Sequence, residues 1–105
     1  MNLCVISGTI QNNAIVRGKK TKALVFTVAT KQPPNGDADN EGLTSFVPCV
    51  MFNPPPDIEQ TLTDEGAGMN IELQGRVNAN RQDPQGETRS NAEVVVYNKS
   101  VRISR

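Results

Sequence analysis

Residues 44–53 form the longest apolar run in the chain, and they restrict the possible folds more than any other stretch. The run has the length of a β-strand and is rich in valine, phenylalanine and threonine, which favour strands. Side chains alternate between the two faces of a strand, so both faces are apolar here. One face comprises Phe46, Pro48, Val50 and Phe52, and the other comprises Val47, Cys49 and Met51. Two interpretations remain open: a central strand buried on both sides, or a strand whose aromatic face stays open as a stacking platform for bases.

The length of 105 residues predicts a single domain, residues 1–105. There is no apolar stretch long enough to span a bilayer and no signal peptide before the first strand-like run, so we expect a cytoplasmic protein without a membrane partner. Cys4 and Cys49 both fall in strand patterns, which favours buried reduced thiols and leaves a disulfide open. The chain has no histidine, and its two cysteines lack metal-ligand spacing, so no zinc site or other cofactor is expected.

The residue types also argue against an enzyme. The sequence offers no histidine as a general base, no serine motif with partners and no glycine-rich loop that cradles phosphate. Its acidic residues cluster in loop-like and helical stretches instead of at paired positions on strands. We therefore expect no catalytic residues and no small-molecule substrate.

The net charge of zero conceals a strong segregation of charge. Residues 1–34 carry five basic side chains and no acidic one, residues 35–72 carry eight acidic side chains and no basic one, and residues 73–105 carry six basic and three acidic side chains. If the two basic segments fold side by side, they form a positive surface that suits a phosphate backbone. The alternative is that these charges are solvated strand edges, where lysine discourages edge pairing.

The order of the predicted elements indicates the fold. Polar, turn-rich segments separate five strand patterns, and a short helix is predicted after the prolines at 54–56, with Ile58 and Leu62 on one apolar stripe and Gly66 and Gly68 at its end. The predicted strands are residues 2–10, 23–30, 44–53, 69–78 and 92–103. Five strands with one short helix between the third and the fourth predict an all-β fold, the five-stranded Greek-key barrel called the OB-fold.

Three residues within the strands carry specific expectations. Gly8 predicts a bulge or a close-packing point in the first strand. Phe26 is expected in the core, because it lies among aliphatic residues on its face. Pro48 lacks a backbone N–H, so it is expected at an edge or a bulge.

Five segments, in order and over nearly the whole chain, resemble the bacterial single-stranded DNA-binding proteins. They are NLCVISG at 2–8, FTVAT at 26–30, TSFVPCVMFN at 44–53, GAGMNIELQGRV at 66–77 and EVVV at 93–96. Each segment alone is a weak signal, and their order and spacing make the match fairly specific.

The resemblance implies that the chain binds single-stranded DNA without sequence specificity in DNA replication, recombination or repair, as a homo-oligomer, either dimer or tetramer. It places Phe46 and Phe52 at the positions where family members stack on bases, a contact that any base satisfies. It also implies that basic side chains line a groove for phosphates. The candidate basic residues are Arg17, Lys19, Lys20, Lys31, Arg76 and Arg81.

The sequence departs from the family pattern in two respects. Family members have tryptophans near the end of the second strand and in the late hairpin, and this chain has none, so weaker stacking is expected. They also carry an acidic tail that recruits other enzymes, whereas this sequence ends at Arg105. It is either a shortened form or a short homologue similar to the primosomal replication proteins, and in both cases it is not expected to recruit those enzymes. The alternative function is an OB-fold assembly or protein-interaction subunit with weak or no nucleic-acid binding, which the acidic stretch 37–41 favours.

Overall fold

The computed structural model describes residues 2–18, 20–31, 44–79, 81–82, 88–89 and 92–105, the two short pairs through their backbone only. The order of the elements in these residues begins with β1 (Cys4–Ile10), β2 (Ile15–Arg17), β3 (Ala23–Lys31), β4 (Thr44–Phe52) and α1 (Pro56–Glu65). It continues with β5 (Asn70–Asn78), β6 (Arg81–Gln82), β7 (Thr88–Arg89), β8 (Glu93–Val96), a 3-10 turn (Asn98–Ser100) and β9 (Arg102–Ser104).

Five of these strands close into a barrel. The strand order is β1, β3, β4, β8 and β5, and β5 pairs again with β1. The β4–β8 contact is parallel and the other pairings of the ring are antiparallel. This ring, with one short helix between β4 and β5, is the OB-fold that the sequence predicts.

The hairpin of β3 and β4 is the longest pairing and presents the apolar run found in the sequence. Nine residues of each strand pair in register, from Ala23 with Phe52 to Lys31 with Thr44. Pro48 is paired with Thr27, whose carbonyl accepts from Gln11 N–H at 3.0 Å on the opposite side, towards β1. The nitrogen of Pro48 therefore points away from β3, where the pairing of β4 with β8 begins only at Cys49. Proline thus lies just outside the ladder, as its missing donor predicts.

Two glycines allow the barrel to close tightly. A Cβ atom on Gly8 would lie 2.2 Å from the carbonyl oxygen of Ala29, and one on Gly75 would lie 2.4 Å from that of Val95. No side chain fits at such distances, because real Cβ contacts are longer than 3.0 Å. Gly8 is therefore the close-packing point that the sequence suggests, at the place where β1 leaves β5 to meet β3.

The helix α1 covers one end of the barrel. Leu62 is fully buried in the core, and Ile58 packs against the core, which confirms the predicted stripe. Proline begins the helix and Gly66 ends it. The carbonyl of Leu62 accepts from Ala14 N–H at 2.9 Å, which ties the helix to the segment before β2.

The last predicted strand is not continuous. Residues 92–103 were expected as one strand, and the structure divides them into β8, the 3-10 turn and β9. The side chain of Ser100 causes the break, since its hydroxyl donates to the carbonyl of Tyr97 at 2.6 Å and accepts from Gln74 N–H at 2.9 Å. After the turn, β9 pairs with the first part of β5, from Asn70 to Glu72.

The barrel interior is apolar, and the described residues include no buried polar or charged side chain. Phe26 is 3% exposed and belongs to this core, as predicted. Both cysteines are free; Cys49 is buried, as expected from the sequence, whereas Cys4 is only half-buried. Burial raises the pKa of the Cys49 thiol to about 12, and the nearby Cys4 adds to the rise. The thiol of Cys49 is therefore protonated at neutral pH and packs as a small apolar side chain.

Candidate nucleic-acid interface

The outer face of β4 carries two exposed phenylalanine rings. Phe46 is 57% exposed and Phe52 is 46% exposed, whereas Cys49 and Met51 on the opposite face are buried. The alternation predicted from the sequence is therefore correct, and of the two interpretations the structure supports the open aromatic face. We call the side chains of Phe46, Pro48, Val50 and Phe52 the aromatic face.

The neighbours of the two rings on β3 are small. Phe46 is paired with Ala29, and Phe52 is paired with Ala23. Directly opposed side chains on adjacent strands lie about 5 Å apart, so a large residue on β3 would cover the rings. Alanine leaves the rings open to a ligand, while Val50, between them along the strand, is buried and forms an apolar floor.

Arg17 lies in the same row of side chains as Phe52. It is paired with Ala23, which in turn is paired with Phe52, so Arg17 and Phe52 are two strands apart on one face. At about 4.8 Å per strand, this is a backbone separation of about 10 Å. A long basic side chain at that distance suits the phosphate of a nucleotide whose base stacks on the ring.

Lys31 and Arg76 lie at two other sides of the aromatic face. Lys31 is paired with Thr44, two residues before Phe46 and on the same face. Arg76 is paired with Val95, which is paired with Val50, so it lies two strands from the middle of the face. Both side chains are exposed. Basic side chains that are far apart in the sequence thus surround one apolar strip.

The remaining basic candidates are less clearly placed. Lys20 is exposed and lies in the turn between β2 and β3, next to the row that contains Phe52. Lys19 lies outside the described residues, and Arg81 is described only through its backbone in β6. Their roles stay predictions from the resemblance.

Most described acidic residues belong to the helix and not to the aromatic face. Asp57, Glu59, Asp64 and Glu65 are in α1, where Glu59 pairs with Lys22 at 3.5 Å and Glu65 pairs with Arg105. The exceptions are Glu72 and Glu93. Glu72 is exposed on β5, where it is paired with Arg102 of β9. Glu93 is half-buried and lines an apolar cavity of about 330 Å³ beside Phe46, at the barrel end opposite α1. The predicted acidic loop, residues 37–41, lies outside the described residues.

The sequence reasoning missed one aromatic residue near this face. Tyr97 follows β8 in extended conformation and is 44% exposed. It is two residues after Val95, so alternation places its side chain on the same outer face. The sequence places Tyr97 two residues after Val95, which is the spacing of one strand face. However, Val94 to Val96 are three consecutive valines, so the sequence shows no alternation there that would have indicated an outer face. In the structure all three valines are buried.

Other kinds of site find no support in the described part of the chain. No group of three or more histidine, cysteine, aspartate or glutamate residues there is arranged to hold a metal ion. Nor does this part contain a helix with the length and apolar character that a bilayer crossing requires.

Comparison with known proteins agrees with this architecture. OB-fold barrels as a class bind oligonucleotides and oligosaccharides on the face of their second and third barrel strands, which here are β3 and β4. A model of the single-strand binding protein family matches residues 1–102, and the chain therefore belongs to that family. Among solved structures, the chain is similar to the Plasmodium falciparum SSB in complex with ssDNA, with a TM-score of 0.74 and 11% sequence identity. The match covers 98% of this chain and 92% of that one, and at this identity it shows a common fold. Among curated proteins, no sequence matches.

Proposed function

We propose that this protein binds single-stranded DNA without sequence specificity, with bases stacked on Phe46 and Phe52 and phosphates contacted by the surrounding lysine and arginine side chains. The observation that carries the proposal is the aromatic face: two exposed rings on one strand, each opposite an alanine. Two exposed rings on one apolar strip mark a candidate binding surface, and every base offers a flat surface to stack on them. Family membership supports the same ligand.

The placement of charge supports a strand of nucleic acid over a protein partner. Arg17, Lys31 and Arg76 approach the aromatic face from three sides, and none of the four helix acids lies on it. A single strand presents phosphates on its outside and bases on one side, which fits an apolar strip with a basic rim. The proposed role in the cell is in DNA replication, recombination or repair, where single strands are exposed and need a protein without sequence preference.

The first prediction concerns salt. We expect the affinity for a labelled oligo-dT, measured by fluorescence anisotropy, to fall steeply as the salt concentration rises. Each phosphate neutralised on a single strand contributes a slope of roughly −0.7 to the logarithm of affinity against the logarithm of salt concentration. Three contacts, from Arg17, Lys31 and Arg76, would give a slope of about −2.

The control is a duplex of the same length, and a second series with oligo-dA tests sequence preference. We expect weak binding to the duplex, because its bases cannot reach the rings, and similar binding to both single strands. An affinity that does not change with salt, or tenfold tighter binding to the duplex, would contradict the proposal. Absence of binding to every oligonucleotide would favour the alternative of an assembly or interaction subunit.

The second prediction concerns self-association. We propose a homo-oligomer, because Leu3 and Val5 are exposed and, within the described residues, only Thr9 and Ile10 of β1 pair with β3. In the described part of the chain, most of this edge of β1 therefore has no partner strand, and it can pair with a strand of a second copy. Light scattering at micromolar concentration is expected to give at least twice the chain mass of 11.4 kDa. A strict monomer would contradict this prediction and would leave the binding proposal intact.

A further inference from the structure

We infer that the single strand continues from Phe52 onto Tyr97, and that Tyr97 is a third stacking residue with Lys99 beside it as a phosphate contact. This inference rests on the proposed function and extends its site. Tyr97 and Lys99 come from the segment that the sequence predicted as continuous strand, where the structure has the 3-10 turn after β8.

Tyr97 lies one strand away from Phe52. Val95 of β8 is paired with Val50 of β4 in parallel. Two residues further along each segment are Phe52, at the end of β4, and Tyr97, the first residue after β8. The side chain of Asn98 fixes this neighbourhood, since its amide donates to the carbonyl of Phe52 at 2.8 Å and to that of Asn53 at 3.0 Å. The two aromatic residues are therefore neighbours on the outside of the barrel.

The ring of Tyr97 is available to a ligand. The residue is 44% exposed, nearly as much as Phe52. Its position is held through the backbone: Tyr97 N–H donates to the carbonyl of Gln74 at 2.9 Å, and its carbonyl accepts from the hydroxyl of Ser100 at 2.6 Å. Because these hydrogen bonds already fix the backbone at Tyr97, little backbone freedom is lost when a base stacks on its ring.

Beyond Tyr97 the surface is an open polar cleft of about 650 Å³, lined by Glu72, Gln74, Tyr97, Lys99, Ser100 and Arg102. Glu72 is paired with Arg102 across β5 and β9, so these two opposite charges lie next to each other and offset one another. Lys99 supplies the remaining positive charge. The cleft therefore extends the aromatic face past Phe52 and offers the same two features, an aromatic ring for stacking and a basic side chain for phosphate.

The sequence provides its own probe for this inference, since the chain has a single tyrosine and no tryptophan. Its intrinsic fluorescence therefore comes from Tyr97. We expect oligo-dT to quench this emission, at the same midpoint as the anisotropy titration, after correction for absorbed light with N-acetyltyrosinamide. Stacking brings the base into contact with the ring, whereas binding that ends at Phe52 leaves the emission of Tyr97 unchanged.

Two matched variants complete the test. Tyr97→Ala is expected to weaken oligo-dT binding at least about fivefold, and Tyr97→Phe, which keeps the ring, is expected to retain wild-type affinity. Lys99→Gln is expected to make the salt slope shallower by about 0.7, the value for one lost phosphate contact. Circular dichroism checks that each variant is folded, and the quenching measurement on the wild-type chain does not depend on any variant.

The outcomes separate this inference from the proposal beneath it. If the anisotropy of wild-type complexes rises on binding while tyrosine emission stays constant and Tyr97→Ala binds normally, the inference is wrong and the aromatic face alone holds the strand. If no anisotropy change occurs at all, the proposed function itself fails. Quenching together with a weakened Tyr97→Ala and an unaffected Tyr97→Phe supports both.

Discussion

Replacing Phe46 with alanine is expected to weaken oligo-dT binding by roughly 5- to 150-fold while leaving the barrel folded. The ring is 57% exposed and lies opposite Ala29, so its removal creates no cavity in the core. Loss of one stacked base costs about 1–3 kcal/mol, and each ~1.4 kcal/mol corresponds to a factor of ten in affinity. Fluorescence anisotropy measures the binding, and thermal denaturation measures the stability.

The controls distinguish stacking from a structural role. Phe46→Tyr keeps an aromatic ring and is expected to bind as the wild type does. Cys49→Ser, on the opposite face of the same strand, is expected to lower stability and to spare binding in a folded sample, because Cys49 is buried. If Phe46→Ala melts far below the wild type, or binds oligo-dT equally well, the stacking role of Phe46 is excluded.

Replacing Phe26 with alanine is expected to reduce stability instead of binding, with a loss of about 3–5 kcal/mol in the free energy of unfolding. Phe26 is 3% exposed and packs in the core cluster, so truncation leaves a cavity that the surrounding side chains fill only in part. Domains of this size have about 5–15 kcal/mol of stability in total, so such a loss is a large fraction of it. Each kcal/mol corresponds to roughly 4–8 °C, so a fall in melting temperature of more than about 12 °C is expected.

Phe26→Leu is the matched control, because it conserves most of the volume and is expected to cost less than about 1.5 kcal/mol. Urea denaturation provides the free energies. Any sample of Phe26→Ala that stays folded at low temperature is expected to bind oligo-dT normally, since Phe26 is on the inner face. A variant that melts within a few degrees of the wild type would contradict the assignment of Phe26 to the core.

The three phenylalanines show how far the sequence reasoning extended. Alternation alone separated the faces of residues 44–53, and the aliphatic neighbours of Phe26 indicated the core, so the inner and outer positions were predictable. The sequence could not decide whether the aromatic face is buried or open, because its exposure depends on which other elements pack against that face. The alanines opposite Phe46 and Phe52 are visible in the sequence, but their register is known only from the folded hairpin.

Residues distant in the sequence were the hardest to predict. Arg17 and Arg76 were candidates through the resemblance, and only the pairing of β2 with β3 and of β8 with β5 places them around one strip. Tyr97 was missed because the apparent last strand is interrupted by the hydrogen bonds of Ser100, a tertiary contact with β5. The break moves the end of the chain onto β5 and makes the turn part of the outer surface.

The closure of the barrel has a consequence for how quickly the chain folds. Cys4 of β1 and Gly75 of β5 are 71 residues apart along the chain, yet they are direct partners in the ring. Pairings between such distant segments form slowly, because the entropy of the intervening chain must be lost before the contact is gained, and barrels rich in them fold in milliseconds to seconds. The β3–β4 hairpin is by comparison a local structure. We therefore expect the strand that carries Phe46 and Phe52 to gain its register early, and the joining of β1 to β5 to be the slow step that completes the barrel in a newly made chain.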